Sequence, residues 1–394
     1  MTNGSFIKRV CEIILTLSEK TEDLFAQCVL KTLYSPIKAF EEIVKKPDVK
    51  GPLLILVLIL VLTTGSQYAS ASRIFDEEPM INRDEWTESI AWAPHWASNG
   101  EEIKRDTDKV VGNYSVTSSI TNNTYIWMNL TEIGAVNCSR KSGYERLSFW
   151  IKWKSQNQTF IPPNATLRLF SNNGNGYFML DFNHELSNSS DEWNNIKIDL
   201  GPESENYEDW KHVGAPNWEK VTGIQFALAW AVPENLTMRI DDLYFAKFLP
   251  IARYFFSGLY GSLTMSAINF LISWGVYGII IFLVIKMFGE KVEFGKKLFL
   301  VVGYLFSVRI VHILVAVALI PTLPEIRLEN LAQIWYSTLS YQAIGYFSLV
   351  TDVWMALLCA IAVRSLCTLK WGKAISISVL ASVINFILIS FMTI

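Results

Sequence analysis

Hydrophobic residues lie in long apolar runs that are separated by one extended polar stretch. The first run covers 52–72, and after the polar stretch four more follow at 260–286, 298–320, 340–366 and 374–393. About 20 apolar residues match the ~30 Å hydrocarbon thickness of a bilayer. The pattern predicts an integral membrane protein with five spans and a large domain inserted between the first two.

Basic residues beside the predicted spans indicate their orientation. Lys and Arg are concentrated before span one, between spans two and three, and between spans four and five, whereas the loop 321–333 carries one Arg and two Glu. Because cytoplasmic loops are enriched in Lys and Arg, we expect a cytoplasmic N-terminus. The inserted domain and the C-terminus then lie outside the cell. A cleaved signal peptide is not expected, since residues 1–50 precede the first apolar run.

These patterns divide the chain into four parts. We predict a cytoplasmic amphipathic segment at 1–50, span one at 51–73, an extracellular β-sandwich at 75–248 and spans two to five at 250–394. Apolar residues within 1–50 recur at helical spacing, which is typical of a helix lying under the membrane. A partner-binding helix is the alternative for this segment.

The inserted domain has the alternating pattern of β-strands. Runs such as YERLSFWIKWK, ATLRLF and NIKIDL alternate apolar and polar residues and are rich in aromatic and β-branched side chains. Turn clusters such as SNNGNG separate them. The fold class we predict is an α-helical transmembrane bundle of five spans plus an inserted all-β jelly-roll sandwich. Its many Trp residues can fill a core or stack on sugars, and the sequence singles out no subset.

Glycosylation acceptors are concentrated in the inserted domain. Eight Asn-x-Ser/Thr sites lie there, at Asn113, Asn122, Asn129, Asn137, Asn157, Asn164, Asn188 and Asn235. A shell of glycans fits a domain that faces the cell exterior. Of the five cysteines only Cys138 belongs to this domain, so we expect no disulfide within it.

Ionisable residues inside predicted spans are costly and therefore informative. Arg309 and His312 lie one turn apart in span three, and Asp352 of span four and Asn385 of span five lie at similar depth. We predict an Arg309–Asp352 pair with His312 and Asn385 hydrogen-bonded nearby. A structural tie between helices is favoured over an ion or proton path, because a path needs further polar residues along the spans and few are expected there.

Signals of catalysis are absent from the sequence. The four histidines are scattered, and no phosphate loop, nucleophile elbow, haem motif or cysteine pair occurs. We therefore expect no enzyme activity and no cofactor other than a structural calcium ion considered below. The net charge of −3 and the lack of a basic stripe give no indication of nucleic-acid binding.

The closing strands of the inserted domain resemble those of galactose-binding-like jelly rolls found in carbohydrate-binding modules. The resembling segments are DEWNNIKIDL, WKHVGAPNWEKVTGIQFAL and LTMRIDDLYF. The resemblance implies that Asp241 and Asp242 help to hold a structural calcium, which carboxylate oxygens would suit. The alternative is a turn contact for one Asp and solvent for the other. Glycans are possible ligands, although the binding face varies within this superfamily.

The membrane part resembles the Yip family of five-pass proteins, whose eukaryotic members interact with Rab GTPases. The resemblance is carried by Leu33–Pro36, by Ala39 and Phe40, by the Pro-x-x-x-Gly-Pro that enters span one, and by the Gly303–Tyr304 pair of span three. An inserted β-domain and the lack of a Pro shortly after Tyr304 distinguish this chain. The many glycosylation acceptors favour a prokaryotic, archaeal surface version.

Three functions are compatible with the sequence. We favour a non-catalytic Yip-like protein that presents a glycosylated sandwich as an accessory or scaffold subunit of an envelope complex, with membrane lipids and membrane proteins as partners. The second is a surface carbohydrate-binding or adhesion receptor. The third is a transporter or channel that uses Arg309 and Asp352.

Overall fold

The computed structural model describes residues 24–81, 83–139, 143–155, 161–171, 176–186, 190–204 and 206–392. The chain divides into two compact units, Met1–Phe75 with Pro250–Ile394, and Asp76–Leu249. The first is mainly helical and the second mainly antiparallel β-structure. Most of the predicted amphipathic helix, residues 1–23, lies outside the described residues.

Two short helices precede the first span, α1 (Leu24–Tyr34) and α2 (Pro36–Lys45). The residue before a proline disfavours the helical conformation, whereas proline suits the first turn of a helix. Ser35 and Pro36 therefore end one helix and begin the next. The Lys31 ammonium lies 2.9 Å from the Glu42 carboxylate and ties the two helices together.

The remaining α-helices of the helical unit build the bundle. They are α3 (Lys50–Ala71), α4 (Phe255–Met287), α5 (Lys296–Leu305), α6 (Ser307–Leu319), α7 (Leu331–Ser337), α8 (Leu339–Cys367) and α9 (Trp371–Met392). Five segments of the described chain are long and apolar enough to cross a membrane, with α5 and α6 forming one of them. The predicted number of spans is confirmed, and the chain has the make-up of a multi-pass membrane protein.

The motifs that resemble the Yip family contact one another within the bundle. A methyl group added to Gly303 would lie 2.7 Å from Cβ of Pro52, and one added to Gly51 would collide with the Tyr304 ring. Small residues let helices approach closely in membranes. The Pro-x-x-x-Gly-Pro and Gly-Tyr sequences are therefore two sides of one helix contact between α3 and α5.

The strands in chain order are β1 (Ile74–Pro79), β2 (Trp96–Ser98), β3 (Lys104–Asp106), β4 (Ser115–Val136), β5 (Arg146–Ser155), β6 (Asn164–Ser171), β7 (Gly176–Asp181), β8 (Asn194–Asp199), β9 (Lys211–Gly214), β10 (Val221–Pro250) and β11 (Ile326–Arg327). β11 belongs to the helical unit and pairs in parallel with Ile74 and Phe75 of β1.

Two long strands, β4 and β10, each contribute to both sheets of the β-unit. The front sheet has the order β2, second half of β4, first half of β10, β6, β7, β9. The back sheet has the order β3, first half of β4, second half of β10, β5, β8. The predicted β-sandwich fold is confirmed.

One hydrophobic core lies between the front and back sheets. The ring of Phe149 on the back sheet lies 4.7 Å from the ring of Phe226 on the front sheet. Alternation along β10 sends Phe226 and Leu228 into this core, where both are fully buried, and turns Ala227 and Ala229 to the opposite face. The strand register therefore fixes which side chains the front sheet shows outward.

Candidate functional site

The sizes of the outward side chains and the strand register indicate a shallow trough along strand β10 on the front sheet. Ala227 of β10 pairs with Trp127 of β4 on one side and with Thr166 of β6 on the other. Because adjacent strands lie ~4.8 Å apart, the two flanking strands are separated by about 10 Å. The small Ala227 and Ala229 form the floor between larger neighbours. We call this surface the β10 trough and define it by the following residues: Tyr125, Trp127, Asn129, Thr166, Arg168, Gln225, Ala227 and Ala229.

Aromatic rings line the β4 side of the trough. The Tyr125 side chain is 47% exposed and the Trp127 side chain is half-buried. On the other side, the Arg168 guanidinium lies 5.5 Å from the centre of the Tyr177 ring. Such rings offer an apolar face together with a polar edge. The trough therefore has one aromatic wall and one cationic wall.

Polar atoms in the trough are only partly satisfied. Nη1 of Arg168 donates to Oε1 of Gln225 at 2.9 Å, and this contact holds the guanidinium in place. Nε of Arg168 and Oδ1 of Asn129 are buried and have no partner among the described residues. Buried polar atoms are normally hydrogen-bonded. One donor and one acceptor thus lie beneath this surface with unused hydrogen-bonding capacity.

A cavity of about 390 Å³ on the back sheet has a different character. Its charged groups neutralise one another. Arg83 binds the Asp242 carboxylate at 2.5 Å, and the Glu77 carboxylate accepts from Lys197 at 3.2 Å and from the Tyr244 hydroxyl at 3.0 Å. This network has the arrangement of a structural tie, because each charge already has a partner of the opposite sign.

The acidic pair predicted to bind calcium is engaged by protein donors. Asp241 accepts backbone N–H bonds from Val110 at 2.6 Å and Val111 at 3.0 Å, and Asp242 receives a two-pronged bond from Arg83. Calcium needs six to eight oxygen ligands. No group of three or more potential ligands is arranged around a metal position in the described ranges. The pair as arranged does not fit calcium, and the ion stays a prediction.

Asp84 is a buried acid that the sequence did not single out. One of its carboxylate oxygens accepts from the backbone N–H of Asp242 at 3.0 Å, and Thr87 also donates to it. Burial, together with the nearby Asp241 and Asp242 carboxylates, raises the pKa of Asp84 to about 7, against the hydrogen bond from Thr87. The acid is therefore half-ionised near neutral pH.

The predicted glycosylation sites differ in accessibility. Four of them are exposed: Asn113, Asn122, Asn164 and Asn235. Two are half-buried, Asn129 in the β10 trough and Asn137, whose Oδ1 accepts from the Ser139 hydroxyl at 2.7 Å. Asn157 and Asn188 lie outside the described residues.

The four intramembrane residues predicted to cluster do line a common cavity. Arg309, His312, Asp352 and Asn385 surround a space of about 570 Å³ in the bundle. The predicted Arg309–Asp352 ion pair is not formed. No guanidinium nitrogen of Arg309 lies within 4.0 Å of a carboxylate oxygen of Asp352. The Arg309 guanidinium lies instead 5.1 Å from the centre of the Phe306 ring. The open cavity, shared by all five spans, replaces the expected direct tie.

Sequence reasoning missed the neutral polar residues of this cavity. Seven of them line it: Thr63, Gln67, Ser266, Asn269, Ser348, Thr351 and Ser382. They lie on four spans, and each is a single neutral polar residue within an otherwise apolar run. The expectation that further polar residues would be few is corrected by this lining, because hydroxyls and amides escape a search for charged residues.

Comparisons with known proteins return structural similarities only. No protein-family model and no curated protein matches this chain. One similar structure is a family 11 carbohydrate-binding module from Clostridium thermocellum in complex with a mixed-linked tetrasaccharide, at 15% identity and a TM-score of 0.28, covering 44% of this chain and 95% of that one. Another is a family 30 carbohydrate-binding module, at 15% identity and a TM-score of 0.28, covering 45% and 87%.

A third similar structure is a carbohydrate-binding module specific for non-crystalline cellulose, at 8% identity and a TM-score of 0.27, covering 43% of this chain and 97% of that one. What this chain binds has to be inferred from its own side chains. Its strands and apolar helices make it a multi-pass membrane protein with an inserted β-sandwich.

Proposed function

We propose that this chain is a non-catalytic membrane receptor whose sandwich binds carbohydrate in the β10 trough. The observation that carries the proposal is the pairing of the half-buried Trp127 ring with unsatisfied polar atoms of Asn129 and Arg168 across a floor of small residues. In the predicted orientation this trough faces the cell exterior, where polysaccharides and glycoproteins are found.

The chemistry of a sugar ring matches this surface. A pyranose has an apolar face of C–H groups, which stacks on an aromatic ring, and a rim of hydroxyls that both donate and accept hydrogen bonds. Trp127 and Tyr125 would take the apolar face. Small side-chain rotations would expose both polar atoms, so that Nε of Arg168 donates to one hydroxyl and Oδ1 of Asn129 accepts from another. The proposal gives these contacts a role in binding and none in catalysis.

The arrangement of the trough reduces the entropic cost of binding. Gln225 and the Tyr177 ring hold Arg168 before any ligand arrives. The trough lies on paired strands and not on loops, which keeps its side chains in place.

Asn129 provides an internal check, because it is both a trough residue and a predicted glycosylation site. A glycan on Asn129 would fill the trough. The proposal therefore requires Asn129 to be unmodified in the functional protein, although its neighbours in sequence are predicted to carry glycans. Peptide mass spectrometry of the native protein reads this directly, and full occupancy of Asn129 would contradict the proposal.

The binding test uses the full chain in lipid nanodiscs on a glycan array, followed by titration with the best glycan. Trp127→Ala should weaken binding at least about tenfold, equivalent to about 1.4 kcal/mol. Trp150→Ala is the matched control, since it removes a half-buried outward Trp from the back sheet. Absence of binding to any glycan, or equal losses in both variants, would refute the assignment of this trough.

The bundle is proposed to be a Yip-like membrane domain. The contact of Gly303 with Pro52 and of Gly51 with Tyr304 supports this, because it gives the resembling motifs a common packing role. The predicted accessory or scaffold role stays a prediction. Stoichiometric membrane proteins that co-purify with the native chain would support it.

A further inference from the structure

The bundle cavity contains polar groups that no part of the described chain satisfies. His312 and Asn385 line it, and Nε2 of His312 and Oδ1 of Asn385 are buried without a hydrogen-bond partner among the described residues. Asn385 as a residue is only 6% exposed. An unsatisfied polar atom at membrane depth costs several kcal/mol, so two of them facing one space indicate that something polar occupies it.

Arg309 adds a charged group to the same space. Its guanidinium takes part in no ion pair or side-chain hydrogen bond among the described residues, and its recorded neighbour is the Phe306 ring. Asp352 shares the cavity lining but does not approach Arg309 to ion-pair distance. A buried cation without a close anion is strongly disfavoured. The Arg309 guanidinium thus has no hydrogen-bond acceptor within the described chain, while the Asp352 carboxylate attracts it from beyond ion-pair distance.

The position and size of the cavity fit a ligand and not a packing defect. Its polar lining lies toward one end of the bundle, the end at which α3 finishes and α4 begins. Gln67 near the end of α3 and Ser266 near the start of α4 mark this position. Its volume of about 570 Å³ falls within the ~300–1,000 Å³ range of small-molecule sites. Apolar residues, among them Ile59, Phe270 and Phe386, complete the wall.

We propose that this cavity is a binding site for a phosphate group. Arg309 would bind its oxygens with the planar fork of donors that suits oxyanions. Hydroxyls such as those of Ser348 and Thr351 would donate to the phosphate oxygens, and a P–OH group of the phosphate would donate to Oδ1 of Asn385 or Nε2 of His312. The phosphate comes either from a lipid headgroup that enters from the bilayer or from a soluble phosphorylated molecule. The apolar part of the wall would contact the remainder of the ligand.

The test measures binding of two probes by the full chain in nanodiscs. In the lipid arm, nanodiscs of phosphatidylcholine with phosphatidic acid are compared with phosphatidylcholine alone, and retained lipid is counted by native mass spectrometry. In the soluble arm, binding of radiolabelled inorganic phosphate is measured in phosphatidylcholine nanodiscs. We expect wild type to bind in one arm, and the positive arm identifies the source of the phosphate.

Variants decide whether the binding is at the cavity. Arg309→Gln should reduce binding at least about tenfold, and Arg309→Lys should retain part of it. The matched control is Arg364→Gln on α8, because Arg364 lies over the Trp371 ring and outside the cavity. If Arg309→Gln does not fold, Asn385→Ala takes its place as the test variant, and we expect it to weaken binding several-fold. Wild type that binds neither probe, or Arg309→Gln and Asn385→Ala variants that bind like wild type, would overturn the proposal.

Discussion

Replacing Asp84 by Asn should stabilise the sandwich, and the gain should grow with pH. The pKa of Asp84 in the folded chain is about 7, raised by burial and by two neighbouring carboxylates from an ordinary value of 3.8. Asn keeps the oxygen that accepts from the backbone N–H of Asp242 at 3.0 Å. It also suits the left-handed backbone at this position, where φ is 65°. The substitution therefore removes the charge with little other change.

The sign follows from the protons bound in each state. Between pH 3.8 and 7 the unfolded chain has released the Asp84 proton and the folded chain still holds it, so stability falls as pH rises through this window. At about 1.4 kcal/mol per pKa unit, the loss is about 4 kcal/mol above pH 7. The gain from Asp84→Asn should therefore be near zero at pH 3, about 2 kcal/mol at pH 5 and about 4 kcal/mol at pH 8.5.

The assay is native-state hydrogen exchange of the full chain in detergent, read from peptides that cover β10. Exchange there reports the opening free energy of the sandwich, separately from the helices. Asp209→Asn is the control, because Asp209 is exposed to solvent. A gain that is equal at pH 5 and pH 8.5, or an Asp84→Asn variant less stable than wild type at pH 8.5, would refute the reasoning.

Three further predictions concern other parts of the chain. The Cys138 thiol is fully buried and burial raises its pKa, so it should resist iodoacetamide until the chain is denatured, and rapid labelling of folded protein would contradict this. Gly303→Val should overpack the helix contact, reduce the free energy of unfolding by about 1–3 kcal/mol and so lower the melting temperature. Gly345→Val should leave the melting temperature unchanged, since nothing lies within 4 Å of an added Cβ there. A thermal melt in detergent compares the two variants. Glycopeptide analysis should find higher occupancy at the exposed Asn122 than at the half-buried Asn137, and the reverse order would count against accessibility as the controlling factor.

Patterns within a single segment account for what the sequence predicted well. Each span is recognisable alone, because its own length and apolarity must match the bilayer. Each strand such as 165–170 is recognisable from its alternation, because one face is buried and the other is not. The number of spans and the sandwich class therefore followed without any knowledge of contacts.

The polar groups of the bundle show where sequence reasoning stops. Depth along a helix is a count of residues, so Arg309, His312, Asp352 and Asn385 could be placed at one level. Whether Arg309 meets Asp352 depends on how each helix is rotated about its axis and how closely the two approach. That is set by packing throughout the bundle, including the contact of Gly303 with Pro52.

The β10 trough is the feature that only the tertiary structure decided. In the sequence, Ala227 and Ala229 are two more apolar residues in FALAWAV, and Trp127 is one of fourteen tryptophans. Their meeting depends on the register of β4 and β6 against β10, and these strands come from distant parts of the chain. Sequence alone determined which residues are apolar and how often they recur. The pairing of strands and the rotation of helices, which are global outcomes of packing, determined which polar groups were left without partners.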